Sequence, residues 1–127
     1  MISIDKKALR KAYRQVQREA GVFQIRNTKS GKVLLGSSLN LHGPFNRLRF
    51  TLNFGSHGCA ELQRDWNELG EDAFAFEVLV NLGPQPEGQS AYERSLELQL
   101  HEEEWLDRLR PYGERGYNQE GERIRQA

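Results

Sequence analysis

A predicted β-hairpin near the start of the chain constrains the fold more than any other feature. Residues 21–27 (GVFQIRN) and 32–36 (KVLLG) read as two short strands, and residues 28–31 (TKSG) have the composition of the turn between them. Phe23 and Ile25 stand two residues apart, so they lie on one strand face and are expected to pack together. A chain of 127 residues is large enough for one hydrophobic core and too small for two, so this hairpin belongs to a single domain.

Apolar spacing predicts the other elements. They are, in order, a basic amphipathic helix over residues 5–19, a helix from about residue 44 to 52, a helix through residues 62–69, a strand over residues 74–80 and a long helix over residues 90–110. Ser90 and Glu93 have capping-box spacing at the start of the long helix, and Pro111 follows its end. Residues 120–127 have no apolar periodicity and are expected to form a loose tail.

Charge is distributed unevenly along the chain. Lys plus Arg and Asp plus Glu both number 18, but residues 1–58 hold eleven basic against two acidic side chains, and residues 59–127 hold seven against sixteen. Such a basic half favours phosphate binding if the fold gathers the charges on one side. The candidate nucleic-acid-binding residues are Lys6, Lys7, Arg10, Lys11, Arg14, Lys32, Arg47 and Arg49. A solvated helix face, or a contact between the two halves of different copies in a homo-oligomer, accounts for the same count.

Composition excludes several classes of protein. Cys59 is the only cysteine, so there is no internal disulfide and no cysteine metal cluster, as expected in a reducing compartment. No apolar run approaches the length of a membrane span, and residues 1–5 lack the long apolar segment of a secretory signal. We therefore expect a folded cytoplasmic protein without a membrane partner.

The long helix contains one carboxylate in an unusual place. On a helical wheel Glu102 lies within the stripe of Leu98, Trp105 and Leu109, where a charge is costly without a partner. This position suggests a functional carboxylate. Glu103 aligns almost as well with a second apolar stripe, formed by Leu96, Leu100 and Leu106. The alternative is therefore that these carboxylates form a solvated acidic edge of the helix.

Short sequence blocks follow one another along the chain. Residues 21–23 (GVF) and 34–36 (LLG) stand on the two hairpin arms, and residues 62–67 (LQRDWN), 70–74 (GEDAF) and 116–118 (GYN) come after them. Together these blocks resemble the GIY-YIG nuclease superfamily, and residues 62–67 and 70–74 are especially similar to small stand-alone bacterial members. The order and spacing of the blocks make the resemblance specific. It implies an α/β (α+β) fold, a three-stranded antiparallel sheet flanked by helices, over residues 21–119. An extra basic helix (residues 1–20) precedes it, and the tail (residues 120–127) follows.

In active members of that superfamily, two tyrosines, an arginine and a metal-binding glutamate carry out hydrolysis. A phenol relays a proton, a guanidinium neutralises charge on the phosphate, and a carboxylate holds a hard ion such as Mg²⁺ or Mn²⁺. The resemblance puts the tyrosines at Phe23 and Leu34, the arginine at Pro44 and the metal ligand at Glu102. Neither Phe23 nor Leu34 has a proton to exchange, and Pro44 has no charge. The resemblance therefore implies a degenerate catalytic centre.

Other residues of the implied site remain. The resemblance keeps His57 and Asn118 as site residues, while Arg47, Lys32 and Tyr117 are potential substitutes for the lost groups. Three functions follow as hypotheses. The first is a nucleic-acid-binding module, most simply for DNA; the second is an active DNA endonuclease that uses Mg²⁺ or Mn²⁺ and substituted residues; the third is a protein-interaction module.

Overall fold

A computed structural model describes residues 5–7 and 19–120 of the chain. Its centre is an antiparallel sheet of three strands, β1 (Gly21–Asn27), β2 (Val33–Ser38) and β3 (Phe74–Asn81), in the order β2-β1-β3. The predicted hairpin forms β1 and β2, and the predicted third strand pairs on the other side of β1. The α+β fold with a three-stranded antiparallel sheet is therefore confirmed.

Across residues 19–120, three α-helices accompany the sheet, α1 (Pro44–Phe54), α2 (Ala60–Leu69) and α3 (Ala91–Leu109). Pro44 begins α1, where its missing N–H costs no helical hydrogen bond. The predicted capping box starts α3, since the Ser90 hydroxyl accepts the Glu93 N–H and the Glu93 carboxylate accepts the Ser90 N–H. The helices predicted around residues 44–52, 62–69 and 90–110 are confirmed.

The core lies on both faces of the sheet, because successive strand residues point to opposite sides. On one face, a cluster that includes Ile25 and Leu34 packs with Leu52 of α1 and with Leu62 and Trp66 of α2. On the other face, Val22 and Leu35 pack with Leu98 of α3, against which Trp105 and Leu109 also lie. Thus α1 and α2 occupy one side of the sheet and α3 the other.

A segment after α3 covers the outer edge of β2. The Tyr117 N–H donates to the Val33 carbonyl at 2.9 Å, and Gly116 forms an isolated parallel bridge with Val33. The Asn118 side chain continues this pairing, because its Oδ1 accepts the Leu35 N–H at 2.8 Å and its Nδ2 donates to the Leu35 carbonyl at 3.0 Å. An edge strand that would otherwise present free backbone groups is thereby satisfied.

Two sequence-predicted segments fall largely outside the described residues. The leading helix over residues 5–19 lies there apart from residues 5–7 and Glu19, so that Lys6 and Lys7 are described, and exposed, whereas Arg10, Lys11 and Arg14 are not described. The tail over residues 120–127 is likewise outside, except for Glu120. Within the described ranges, none of the helices has the length and apolar character needed to cross a bilayer.

Candidate functional site

A cavity of about 830 Å³ lies on the sheet face that carries α1 and α2. It is lined by β1, β2, α1, the loop between α1 and α2, the start of α2 and the segment after α3. The cavity brings together six of the site residues predicted from the sequence: Phe23, Leu34, Pro44, Arg47, His57 and Asn118.

Carbon atoms of Phe23, Leu34 and Pro44 form part of the cavity wall, and all three residues are buried. Phe23 is 6% exposed, and its ring packs edge-on against Phe45 with centroids 5.6 Å apart. It also lies over its cross-strand partner Gly36, where an added Cβ would come within 2.8 Å of the ring. Leu34 belongs to the core cluster. The positions that the superfamily resemblance assigns to reactive groups are thus used for packing.

Arg47 supplies positive charge at the cavity. Its side chain is exposed, and no acidic side chain within residues 5–7 and 19–120 pairs with it. A smaller neighbouring cavity of about 460 Å³ shares Phe23, Pro44 and Arg47 with the first. The guanidinium therefore borders both cavities, where it is suited to bind an anion.

The His57 imidazole is half-buried in the loop before α2. Its Nδ1 accepts the Cys59 N–H at 3.0 Å, while the His57 N–H donates to Gln63 Oε1 at 3.0 Å. Burial lowers the pKa of His57, and an accepting Nδ1 assigns the ring proton to Nε2. At neutral pH the ring is uncharged, so it contributes a hydrogen-bonding group rather than a positive charge.

Gln63 is a site-supporting residue that sequence reasoning missed. It is buried, and its Nε2 donates to the Leu52 carbonyl at 2.8 Å while its Oε1 holds the His57 backbone. It thereby ties α1 and α2 to the loop that carries His57. The available signal was a glutamine beside Leu62, inside the stretch predicted as a helix.

The side chains of Tyr117 and Asn118 are fully engaged in structural hydrogen bonds. The Tyr117 hydroxyl donates to Asp65 Oδ2 at 2.7 Å and accepts from Asn27 Nδ2 at 3.1 Å. Burial, together with the Asp65 carboxylate, raises the pKa of Tyr117. The side-chain oxygen and nitrogen of Asn118 are both hydrogen-bonded to the Leu35 backbone. Tyr117 is therefore poorly placed to relay a proton to a ligand in the cavity.

Two of the basic candidates are committed to contacts within the protein. The Lys32 ammonium forms an ion pair with Glu61 and lies 5.8 Å from the Tyr117 ring centroid. The Arg49 guanidinium lies over the Phe76 ring, 4.2 Å from its centroid. These contacts leave Arg47 as the basic side chain that lines the cavity among the described residues.

Glu102 lies on α3, which packs on the opposite face of the sheet. Its side chain is half-buried, and Leu98 and Trp105, which flank it on the helix, belong to the packing on that face. Glu102 is not among the residues that line the cavity. Across residues 5–7 and 19–120, no three His, Cys, Asp or Glu side chains converge as a metal site would require. The described donors therefore do not form a protein-built cage.

Comparison with known proteins gives two structural matches. No family model and no curated protein matches the chain. The catalytic domain of the intron endonuclease I-TevI, in a mutant form, is 28% identical, with a TM-score of 0.62, and the alignment covers 79% of this chain and 92% of that domain. A second structure, the catalytic domain of the homing endonuclease I-TevI, is 29% identical with a TM-score of 0.60, covering 78% of this chain and 96% of that one. The similarity thus spans almost the whole of those catalytic domains.

Proposed function

Because this chain has the fold of the GIY-YIG nuclease superfamily, we propose that it is a nucleic-acid-binding domain that binds DNA and whose hydrolytic centre is impaired. The wall of the cavity carries this proposal. Phe23, Leu34 and Pro44 are all buried there, and the superfamily resemblance assigns these positions to two phenols and a guanidinium. Loss of a positioned acid or base removes about two to four decades of rate, and loss of a preorganised charge donor about two to three more.

Several observations support retained binding. Arg47 borders both cavities without an acidic partner among the described residues, so its charge is available to a phosphate. The two similar structures are endonuclease domains, and DNA is the ligand we propose for this chain. The excess of basic residues in positions 1–58 supplies further charge for the same partner.

A salt titration of binding tests the proposal. Fluorescence polarisation with labelled DNA should give an affinity that falls steeply as salt is added. Arg47→Gln should weaken binding across sequences and reduce the salt slope by about one. The matched control is Arg108→Gln, since Arg108 is exposed but pairs with Glu104 at 3.4 Å on α3. Absence of binding to single-stranded, duplex and branched DNA at low salt would contradict the proposal.

An active metal-dependent endonuclease is the second candidate function. The open cavity, with the Arg47 guanidinium and the neutral His57 imidazole on its wall, favours it. Glu102 would hold Mg²⁺ or Mn²⁺, and the ion would polarise a phosphoryl oxygen when bound. Arg47 would then neutralise phosphate charge in place of the lost arginine. Against this candidate, Glu102 lies outside the cavity lining and the Tyr117 hydroxyl is already engaged.

A further inference from the structure

An aromatic pair stands exposed on α1, away from the core. Phe50 is 68% exposed and Phe54 is 76% exposed. Their rings are stacked, with centroids 5.8 Å apart and an interplanar angle of 16°. Exposed phenylalanines normally stand singly, so a stacked pair on one helix face indicates a binding surface.

The same face of α1 also carries Arg47. Positions 47, 50 and 54 are three and four residues apart, so their side chains lie along one side of the helix. Leu52 points to the opposite side and is fully buried, which fixes the outward direction of the other three. We call Arg47, Phe50 and Phe54 the α1 outer face. It begins at the cavity, which Arg47 lines, and leads away from it along the helix.

The charge of α1 identifies the kind of partner. The helix contains Arg47 and Arg49 and no acidic residue. Near the far end, the Asn53 side chain donates to the Glu71 carboxylate at 3.3 Å, and Glu61, which lines the same cavity as Arg47, is paired with Lys32. A phosphate is therefore favoured at Arg47, and an uncharged planar group is favoured at the two rings.

Ring spacing limits how bases would bind. A base inserted between two rings needs them about 7 Å apart, since each of its two stacking contacts takes at least about 3.5 Å. The 5.8 Å centroid separation is smaller, so a base stacks on the outside of the pair rather than between the rings. Bases of a duplex are already stacked on their neighbours, whereas single-stranded bases offer free faces to aromatic side chains.

From these observations we propose that the α1 outer face binds single-stranded DNA, with bases stacked on Phe50 and Phe54 and a phosphate at Arg47. This inference rests on the proposed DNA-binding function and names the form of DNA. A single strand bound on this face would lie next to the cavity.

The test compares DNA forms and aromatic variants. Fluorescence polarisation would be measured for oligothymidine and for a duplex of equal length. The variants are the double substitution Phe50→Ala with Phe54→Ala, Phe54→Trp, and the control Tyr92→Ala, which removes an aromatic ring that is 73% exposed on α3. Circular dichroism would establish that each variant is folded.

We expect the double variant to bind oligothymidine at least about fivefold more weakly, because the base stacks on both rings are lost. Its salt slope and its affinity for duplex should match those of the wild type, since no charge is removed. Phe54→Trp should retain binding, and Tyr92→Ala should leave it unchanged.

Four results would overturn the inference, and they differ in what they mean for the proposed function. If the protein binds DNA but the double variant binds oligothymidine like the wild type, only the α1 outer face is refuted. Binding of oligouridine without oligothymidine would refute the choice of DNA. If the wild type is a dimer by light scattering and the double variant a monomer with unchanged DNA affinity, the face joins two copies instead. Absence of any nucleic-acid binding would refute both proposals.

Discussion

At the residue scale, the position of Phe23 decides how the candidate site is interpreted. Its ring fills the space above Gly36 and contacts Phe45, so it is a packing group at the cavity wall. Strand alternation was sufficient to predict that Phe23 packs on the same face as Ile25. The close approach to Gly36 could not be predicted, because it depends on strand register and on the ring's rotamer.

Gly36→Ala should destabilise the protein by about 1–3 kcal/mol, because the new Cβ would lie 2.8 Å from the Phe23 ring and overpack the sheet face. In a Phe23→Leu background the same substitution should cost less, since the contacting ring is gone. Urea unfolding of the wild type, both single variants and the double variant measures this coupling. Strictly additive changes in the free energy of unfolding would show that the two residues do not press on each other.

The His57 imidazole should make stability depend on pH. Burial favours its neutral form, so its folded pKa lies below the ordinary value of 6.5. As pH falls past about 6.5, the unfolded chain takes up a proton that the folded protein still resists, so the free energy of unfolding decreases. Urea unfolding at about pH 7.5 and pH 5 should show a smaller decrease for His57→Gln than for the wild type. Equal decreases in the two proteins would contradict this account.

At the element scale, the cover on the edge of β2 is the feature that the sequence did not reveal. Strands and helices followed from apolar spacing, and the start of α3 followed from its capping box. The role of Asn118 did not, because its partner Leu35 is 83 residues away in the chain. Local patterns predict elements well, whereas a long-range side-chain bond to a strand edge has no local signature.

Asn118→Ala should lower the free energy of unfolding by about 1–3 kcal/mol, because the N–H and carbonyl of Leu35 each lose a partner at a partly buried edge. Gln119→Ala is the matched control, since Gln119 is the exposed neighbour. Chemical unfolding of both variants makes the comparison. If both lose equally little stability, the amide does not hold the edge.

At the scale of the whole molecule, the candidate catalytic groups lie on opposite faces of one sheet. The cavity with Arg47 and His57 lies on the side of α1 and α2, and Glu102 belongs to α3 on the other side. The helical wheel was sufficient to put Glu102 in line with Leu98 and Trp105. The wheel could not predict that α3 packs on the sheet face opposite the cavity, because that depends on how the helices dock across the sheet.

The central claim is that DNA binding persists without efficient hydrolysis, and a cleavage time course tests it most directly. Labelled single-stranded, duplex and branched DNA would be incubated with Mg²⁺ or Mn²⁺ and with wild-type protein or Glu102→Ala, at protein concentrations where polarisation shows the DNA to be bound. We expect the wild type to form no more product than Glu102→Ala. Metal-dependent product that the wild type forms and Glu102→Ala does not would contradict the account.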